Sequence, residues 1–181
     1  MSNKSSNGLN GTVSNSIGDI KIGKEDLQLL LRSQIGPQCI VVRSSVTGLL
    51  PPGENFACLL YRVLAVVKEH EKSEEEEMDC VAKVYPVEPE ILKVFDFSSL
   101  FRKEIFFYEK FAPQLKKLEI DFGVEEREAF DIVPKLYGVR RSWNGEDDEK
   151  VDSGAMILMQ NLNSEGYYML NKLEGDIFNT S

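Results

Sequence analysis

Histidine is almost absent from this sequence: His70 is the single one among 181 residues, and it lies in an acidic run. A histidine-based triad, a poly-histidine metal site and a histidine proton relay are therefore excluded as readings. Cysteine is scarce as well. Cys39, Cys58 and Cys80 are odd in number and lack metal-ligand spacing, so reduced thiols in a cytoplasmic chain are expected. Basic residues are outnumbered, 21 against 30 acidic, for a net charge of −9. Such a chain is a poor binder of phosphate backbones, which argues against nucleic acid as a partner. No run approaches the roughly 18 apolar residues of a membrane span, and no membrane association is expected. The first residues, MSNKSSNGLNGTVSNS, have no apolar stretch of the kind a secretory signal needs. Without secretion, the Asn-x-Ser/Thr matches at Asn3, Asn10 and Asn179 are chance.

What is present is enough for a folded core: 42% of the residues are hydrophobic. Residues 1–18, rich in Ser, Asn and Gly, read as a disordered tail, and 19–181 as the folded part. A short amphipathic helix opens at Glu25, with Leu27, Leu30 and Leu31 on its apolar face. Strands are expected over 39–47, 55–68, 80–85, 131–142 and 153–161. Between the first two lies a turn, GLLPPGE, holding Gly48 and Gly53. The acidic stretch 69–79 reads as a solvated loop, and Asn144-Gly145 with the charges after it as a hairpin turn. The clearest helix is 96–111, where Phe97, Phe101, Glu104, Tyr108 and Phe111 share one face. Pro113 is expected to break it and to open a second short helix, and a last helical segment is expected over 165–173. The result is an α+β fold: a five-stranded, mainly antiparallel sheet with one helix packed on it.

Two charges stand where the pattern asks for apolar side chains. Lys83 shares a strand face with Val81 and Tyr85, while Cys80, Ala82 and Val84 make the other face apolar too. Glu104 sits on the aromatic stripe of the 96–111 helix. A buried unpaired charge costs several kcal/mol, so each wants a partner. They can pair with each other, or Lys83 can snorkel to an edge while Glu104 flanks the stripe. A glycine turn between two strands, a Lys on the next strand and a Glu on the following helix is how a protein-kinase-like small lobe holds nucleotide phosphates. Gly48 and Gly53 do not spell G-x-G-x-x-G, so the turn by itself reads as an ordinary hairpin.

Several short motifs then fall in order: Gly53-Glu54-Asn55-Phe56, Val81-Ala82-Lys83-Val84, Phe101-x-x-Glu104-x-x-Phe107-Tyr108, Pro113, Pro134-x-x-Tyr137, and residues 156–162 (MILMQNL) with Gly166-Tyr167. With them the chain resembles the ecdysteroid kinase-like (CHK kinase-like) family over about residues 24–173. That family is related to choline kinases and aminoglycoside phosphotransferases. The resemblance implies a kinase-like fold that uses ATP and Mg²⁺ to phosphorylate a small-molecule hydroxyl. It implies that Lys83 contacts the phosphates and pairs with Glu104, and that Gly53, Glu54 and Asn55 lie over them. It implies that Val81 packs on adenine, that Met159 is the gatekeeper, and that the backbone of Gln160 and Leu162 is the adenine hinge. Where the family usually shows a Leu-Glu-Asp-Leu-like hinge, this chain has Met-Gln-Asn-Leu, which removes two negative charges.

The family's catalytic base and metal ligands come after the hinge, and the sequence ends at Ser181, about twenty residues beyond it. The expected reading is a kinase-like small lobe with the large lobe missing, with no catalytic or metal residues of its own. Weak or no ATP binding and no transfer are then expected. Asp121-Phe122-Gly123 spells a protein-kinase metal motif, but it precedes the hinge and is read as coincidence. The alternative is a non-catalytic binding or regulatory chain whose protein partner covers the face left open around Leu158, Met159, Leu162 and Tyr167.

Overall fold

The computed structural model describes residues 22–49, 58–86, 92–143 and 150–168. In chain order these form α1 (Lys24–Ile35), β1 (Ile40–Gly48), β2 (Leu59–Lys68), β3 (Glu76–Val84) and α2 (Phe97–Phe106). A π-helical turn (Phe107–Phe111), α3 (Ala112–Asp121), β4 (Leu136–Arg140), β5 (Met156–Gln160) and a 3₁₀ turn (Leu162–Glu165) follow. The strands make one open antiparallel sheet in the order β1-β2-β3-β5-β4. This is the α+β architecture expected, and it is compatible with a kinase-like small lobe. The tail 1–18, the turn residues Gly53, Glu54 and Asn55, the Asn144-Gly145 turn and residues 169–173 lie outside the described residues.

Both faces of the central strands are covered. On one, Cys80, Ala82 and Val84 of β3 join Met156 and Leu158 of β5 and Leu27, Leu30 and Leu31 of α1 in a single core. On the other, Phe97, Phe101 and Ile105 of α2 pack with Tyr85, Ile157 and Met159. α1 therefore adds a layer beyond the one packed helix expected. Its contact with β4 is close enough to demand a glycine, since a Cβ at Gly138 would stand 2.4 Å from the Leu30 carbonyl oxygen.

Four expectations are corrected. β3 begins at Glu76, so the last part of the acidic stretch is strand and not loop. Glu76 and Glu77 keep their side chains exposed, while their backbones pair with Val67 and Val66. Pro113 does not end the helix: α2, the π-helical turn and α3 run on through residues of helical conformation. Proline lacks an N–H and crowds the carbonyl four residues back, and the wider turn before it absorbs both defects. The extra residue in that turn also rotates Phe111 off the apolar stripe, leaving it 48% exposed, while Ile105 takes a core position. Finally, the helical segment expected from 165 is not helical over 166–168. A 3₁₀ turn over Leu162–Glu165, capped by Asn161, meets it only at Glu165.

Candidate functional site

Lys83 and Glu104 meet. The β3 register pairs Lys83 with Leu60 of β2 and Ile157 of β5, placing its side chain on the α2 face of the sheet. α2 is started by Asp96, whose carboxylate accepts from the Ser99 N–H at 3.0 Å. It is seated by Phe97 and Phe101, whose rings lie 6.0 and 5.4 Å from that of Tyr85. Glu104, three residues after Phe101, is thereby delivered to Lys83, with Nζ to Oε2 at 2.6 Å. Both side chains are about three-quarters buried, and the ammonium lies 5.9 Å from the Phe101 ring centroid. Tyr108 stands beside the pair, its phenol pKa raised by burial first and by the Glu104 charge second.

Two further ties hold α2 to the β4–β5 region. The Ser98 hydroxyl donates to the Val151 carbonyl at 2.9 Å and lies 3.2 Å from the Tyr85 hydroxyl. Past its far end, in the π-helical turn that continues it, Glu109 pairs with Arg141. The helix that carries Glu104 is thus fixed at both ends.

Val81 and Met159 are direct partners across β3 and β5, on the face that carries Lys83. The stems of the glycine turn converge there as well: Leu60 faces Lys83, and the Leu49 N–H donates to the Leu60 carbonyl at 2.9 Å. The turn residues Gly53, Glu54 and Asn55 follow from these stems but lie outside the described residues. The apolar opening expected around Leu158 and Met159 is absent. Leu158 is 0% exposed in the α1-side core and Met159 is 8% exposed, whereas Tyr167 is 65% exposed. A cleft of about 940 Å³ between α1, α3 and β4 reaches Gln160 and Leu162, but contains neither Val81 nor Lys83.

The segment after β5 is braced by side-chain amides. Gln160 Oε1 accepts from the Lys135 N–H at 3.2 Å, and its Nε2 donates to Glu165 at 3.3 Å. Asn161 Oδ1 accepts from the Asn163 N–H at 3.2 Å, and its Nδ2 donates to Asp79 Oδ1 at 2.9 Å. An amide donates and accepts at once, which a carboxylate cannot. A Glu-Asp pair here would keep the acceptor bonds and set negative charges against Glu165 and Asp79. On the backbone, the Gln160 N–H bonds to the Lys135 carbonyl, and the Leu162 carbonyl accepts from the Tyr167 N–H.

Sequence reasoning missed Asp79. It stands at the end of the acidic stretch, yet its carboxylate takes both Arg62 Nε at 3.0 Å and Arg62 Nη2 at 2.6 Å. It also accepts from Asn161 and, at 2.5 Å, from the Ser164 hydroxyl. These donors, Arg62 foremost, pull its pKa down to about 2 against the cost of partial burial. Asp121-Phe122-Gly123 has a structural role of its own. Gly123 takes φ 92 and closes α3, with its N–H on the Ile120 carbonyl and the Val124 N–H on Glu119. Among the described residues, no three His, Cys, Asp or Glu side chains come together as a metal site.

Comparison with protein families finds the ecdysteroid kinase-like family model matching residues 52–178. No curated protein and no solved structure matches the chain.

Proposed function

The chain belongs to the ecdysteroid kinase-like family, a group of kinase-like small-molecule phosphotransferases, and from that premise we propose that its sheet and α2 form the ATP-binding small lobe for phosphorylation of a small-molecule hydroxyl. The observation that carries this is the Lys83–Glu104 pair at 2.6 Å. Two charges set into apolar faces cost more to desolvate than a hydrophobic pair of the same size, so folding alone gives no reason for them. Phosphate binding does. The Lys83 ammonium would neutralise phosphate charge, and Glu104 holds it in place. Gly53, Glu54 and Asn55 would cover the phosphates from the turn whose stems end beside Lys83. Val81 would pack on adenine beside Met159, with the backbone of Gln160 and Leu162 along its edge.

The residues present fit the nucleotide rather than magnesium, for which the described residues offer no cluster of ligands. In this reading the 181 residues supply one wall of a cleft, bind Mg-ATP weakly and transfer nothing by themselves. A second reading is a non-catalytic chain that binds a protein partner, supported by the exposure of Ile132, Tyr167 and Tyr168 at 85, 65 and 81%. The test is titration of the 181-residue chain with Mg-ATP, together with a transfer assay on sterol-like and choline-like hydroxyls. Weak binding abolished by Lys83→Ala, without turnover, supports the first reading. Binding indifferent to Lys83→Ala overturns it, and turnover that vanishes in Lys83→Ala overturns the absence of catalysis. A protein that copurifies and blocks the nucleotide would favour the second.

A further inference from the structure

We infer that Asp79 is a positioning residue for nucleotide binding: from β3 it pins the segment that meets the adenine base, so that base affinity depends on a carboxylate that does not touch the ligand. This rests on the nucleotide reading above.

The geometry is specific to that segment. Leu162, whose backbone is assigned to the adenine edge, lies between Asn161 and Ser164, and both bind the same carboxylate. Asn161 Nδ2 reaches Oδ1 at 2.9 Å, and Ser164 Oγ reaches Oδ2 at 2.5 Å. The Asn161 N–H adds a bond to the Asp79 carbonyl at 3.2 Å. Asn161 is 4% exposed, so its amide has little access to water and depends on these partners. The carboxylate in turn cannot rotate away, because Arg62 grips both of its oxygens from β2. Asp79 thus links β2, β3 and the post-β5 turn through one group, four residues before Lys83 on the same strand. The phosphate end and the base end of the proposed site hang from one strand, each held by a different partner.

A purely structural ion pair would make a different prediction. It would weaken every ligand alike. A positioning role weakens the base interaction alone. The experiment is an NMR titration of the full chain with Mg-ATP and, separately, with Mg-tripolyphosphate, which has the phosphates and no base. The variants are Asp79→Asn, Asn161→Asp, the double Asp79→Asn/Asn161→Asp, Ser164→Ala and Lys83→Ala. Asp79→Asn and Asn161→Asp should each weaken ATP about tenfold and leave tripolyphosphate unchanged. Ser164→Ala, which leaves the strand pairing untouched, should do the same to a smaller degree. The double variant should regain most of the loss, because the amide then at position 79 can donate to the carboxylate then at position 161. Lys83→Ala should weaken both ligands. If Asp79→Asn, Asn161→Asp and Ser164→Ala weaken both ligands equally, or neither, the positioning role is wrong while the nucleotide reading stands. If Lys83→Ala changes nothing, or the unaltered chain binds no ATP, the nucleotide reading falls and this inference with it.

Discussion

Replacing Lys83 by Met and Glu104 by Leu, singly and together, separates what the pair does for stability from what it does for a ligand. The side chains are 22% and 27% exposed and 2.6 Å apart, between the surface and buried limits. Exposed pairs couple by about 0.2–1 kcal/mol, and breaking a buried pair costs about 3–5 kcal/mol. Lys83→Met strands a carboxylate on an apolar stripe and should cost about 2 kcal/mol. Glu104→Leu strands an ammonium that still has the Phe101 ring beneath it and a stem long enough to reach water. Its cost should be smaller, about 1 kcal/mol. The double variant removes both charges and adds apolar surface against Phe101 and Ile157, so it should match or exceed the unaltered chain. The coupling is then about 3 kcal/mol, against the 0.3–0.5 kcal/mol within which independent sites add. Urea unfolding followed by circular dichroism reads these differences, provided the slope with denaturant stays constant. A double variant that loses the sum of the two single losses would refute the argument, because the charges would then be stabilising the fold independently. A double variant that is stable yet does not bind Mg-ATP would show that the pair is kept for chemistry at the expense of a better core.

Three other outcomes follow from the geometry. Gly138→Ala drives a Cβ to 2.4 Å from the Leu30 carbonyl oxygen, and since backbone cannot yield as a side chain does, it should cost about 3 kcal/mol and lower Tm by about 6–12 °C. A melting curve within 2–3 °C of the unaltered chain would mean α1 shifts freely on β4. The Asp79 pKa is lowered in the fold from 3.8 to about 2, so its stabilisation is complete above pH 4–5 and lost as pH falls toward 2. The stability gap between the unaltered chain and Asp79→Asn should be about 1–2 kcal/mol at pH 6, allowing for screening at the exposed Arg62, should have mostly closed near pH 2 and should vanish below it; a gap independent of pH would acquit the carboxylate charge. Arg141→Ala removes the partner of Glu109, both about a quarter exposed, and should cost about 1 kcal/mol. Hydrogen exchange should then quicken in the π-helical turn and not in β1, and uniform quickening would contradict a local tie.

The sheet was legible chiefly because its central strands are covered in a readable way. Alternation along β3 sends Cys80, Ala82 and Val84 to α1 and Val81 and Tyr85 to α2, which is the division the core shows. Its first residues were not legible, because Glu76 and Glu77 contribute backbone hydrogen bonds while their side chains remain in water, so no apolar signal marks them as strand. The helix after residue 96 was legible up to Tyr108. Beyond it a single inserted residue shifts the period, and a stripe read at constant 3.6-residue spacing places Phe111 inside when it lies outside. Pro113 misleads for the same reason: a helix break and a widened turn are alternative answers to one missing N–H, and the sequence does not distinguish them.

The site divides along the same line. Lys83 and Glu104 announced themselves because each is a charge in an apolar pattern, and a charge there must find its opposite within reach. Asp79 and Asn161 gave no such signal. Neither is a charge on an apolar stripe, they stand 82 positions apart, and only the register of β3 on β5 brings them together. On sequence grounds the departure at Gln160-Asn161 from the family's acidic pair is a matter of net charge alone. In the fold it is a matter of donors. Gln160 and Asn161 each use the NH₂ that a carboxylate lacks, one toward Glu165 and one toward Asp79. The amide at 161 and the carboxylate at 79 therefore stand or fall together: Asn161→Asp would bring two carboxylates to the 2.9 Å contact that a hydrogen bond now holds. The residue type at 161 is tied to a strand remote in sequence, which is why local motif comparison registers the difference without the reason for it.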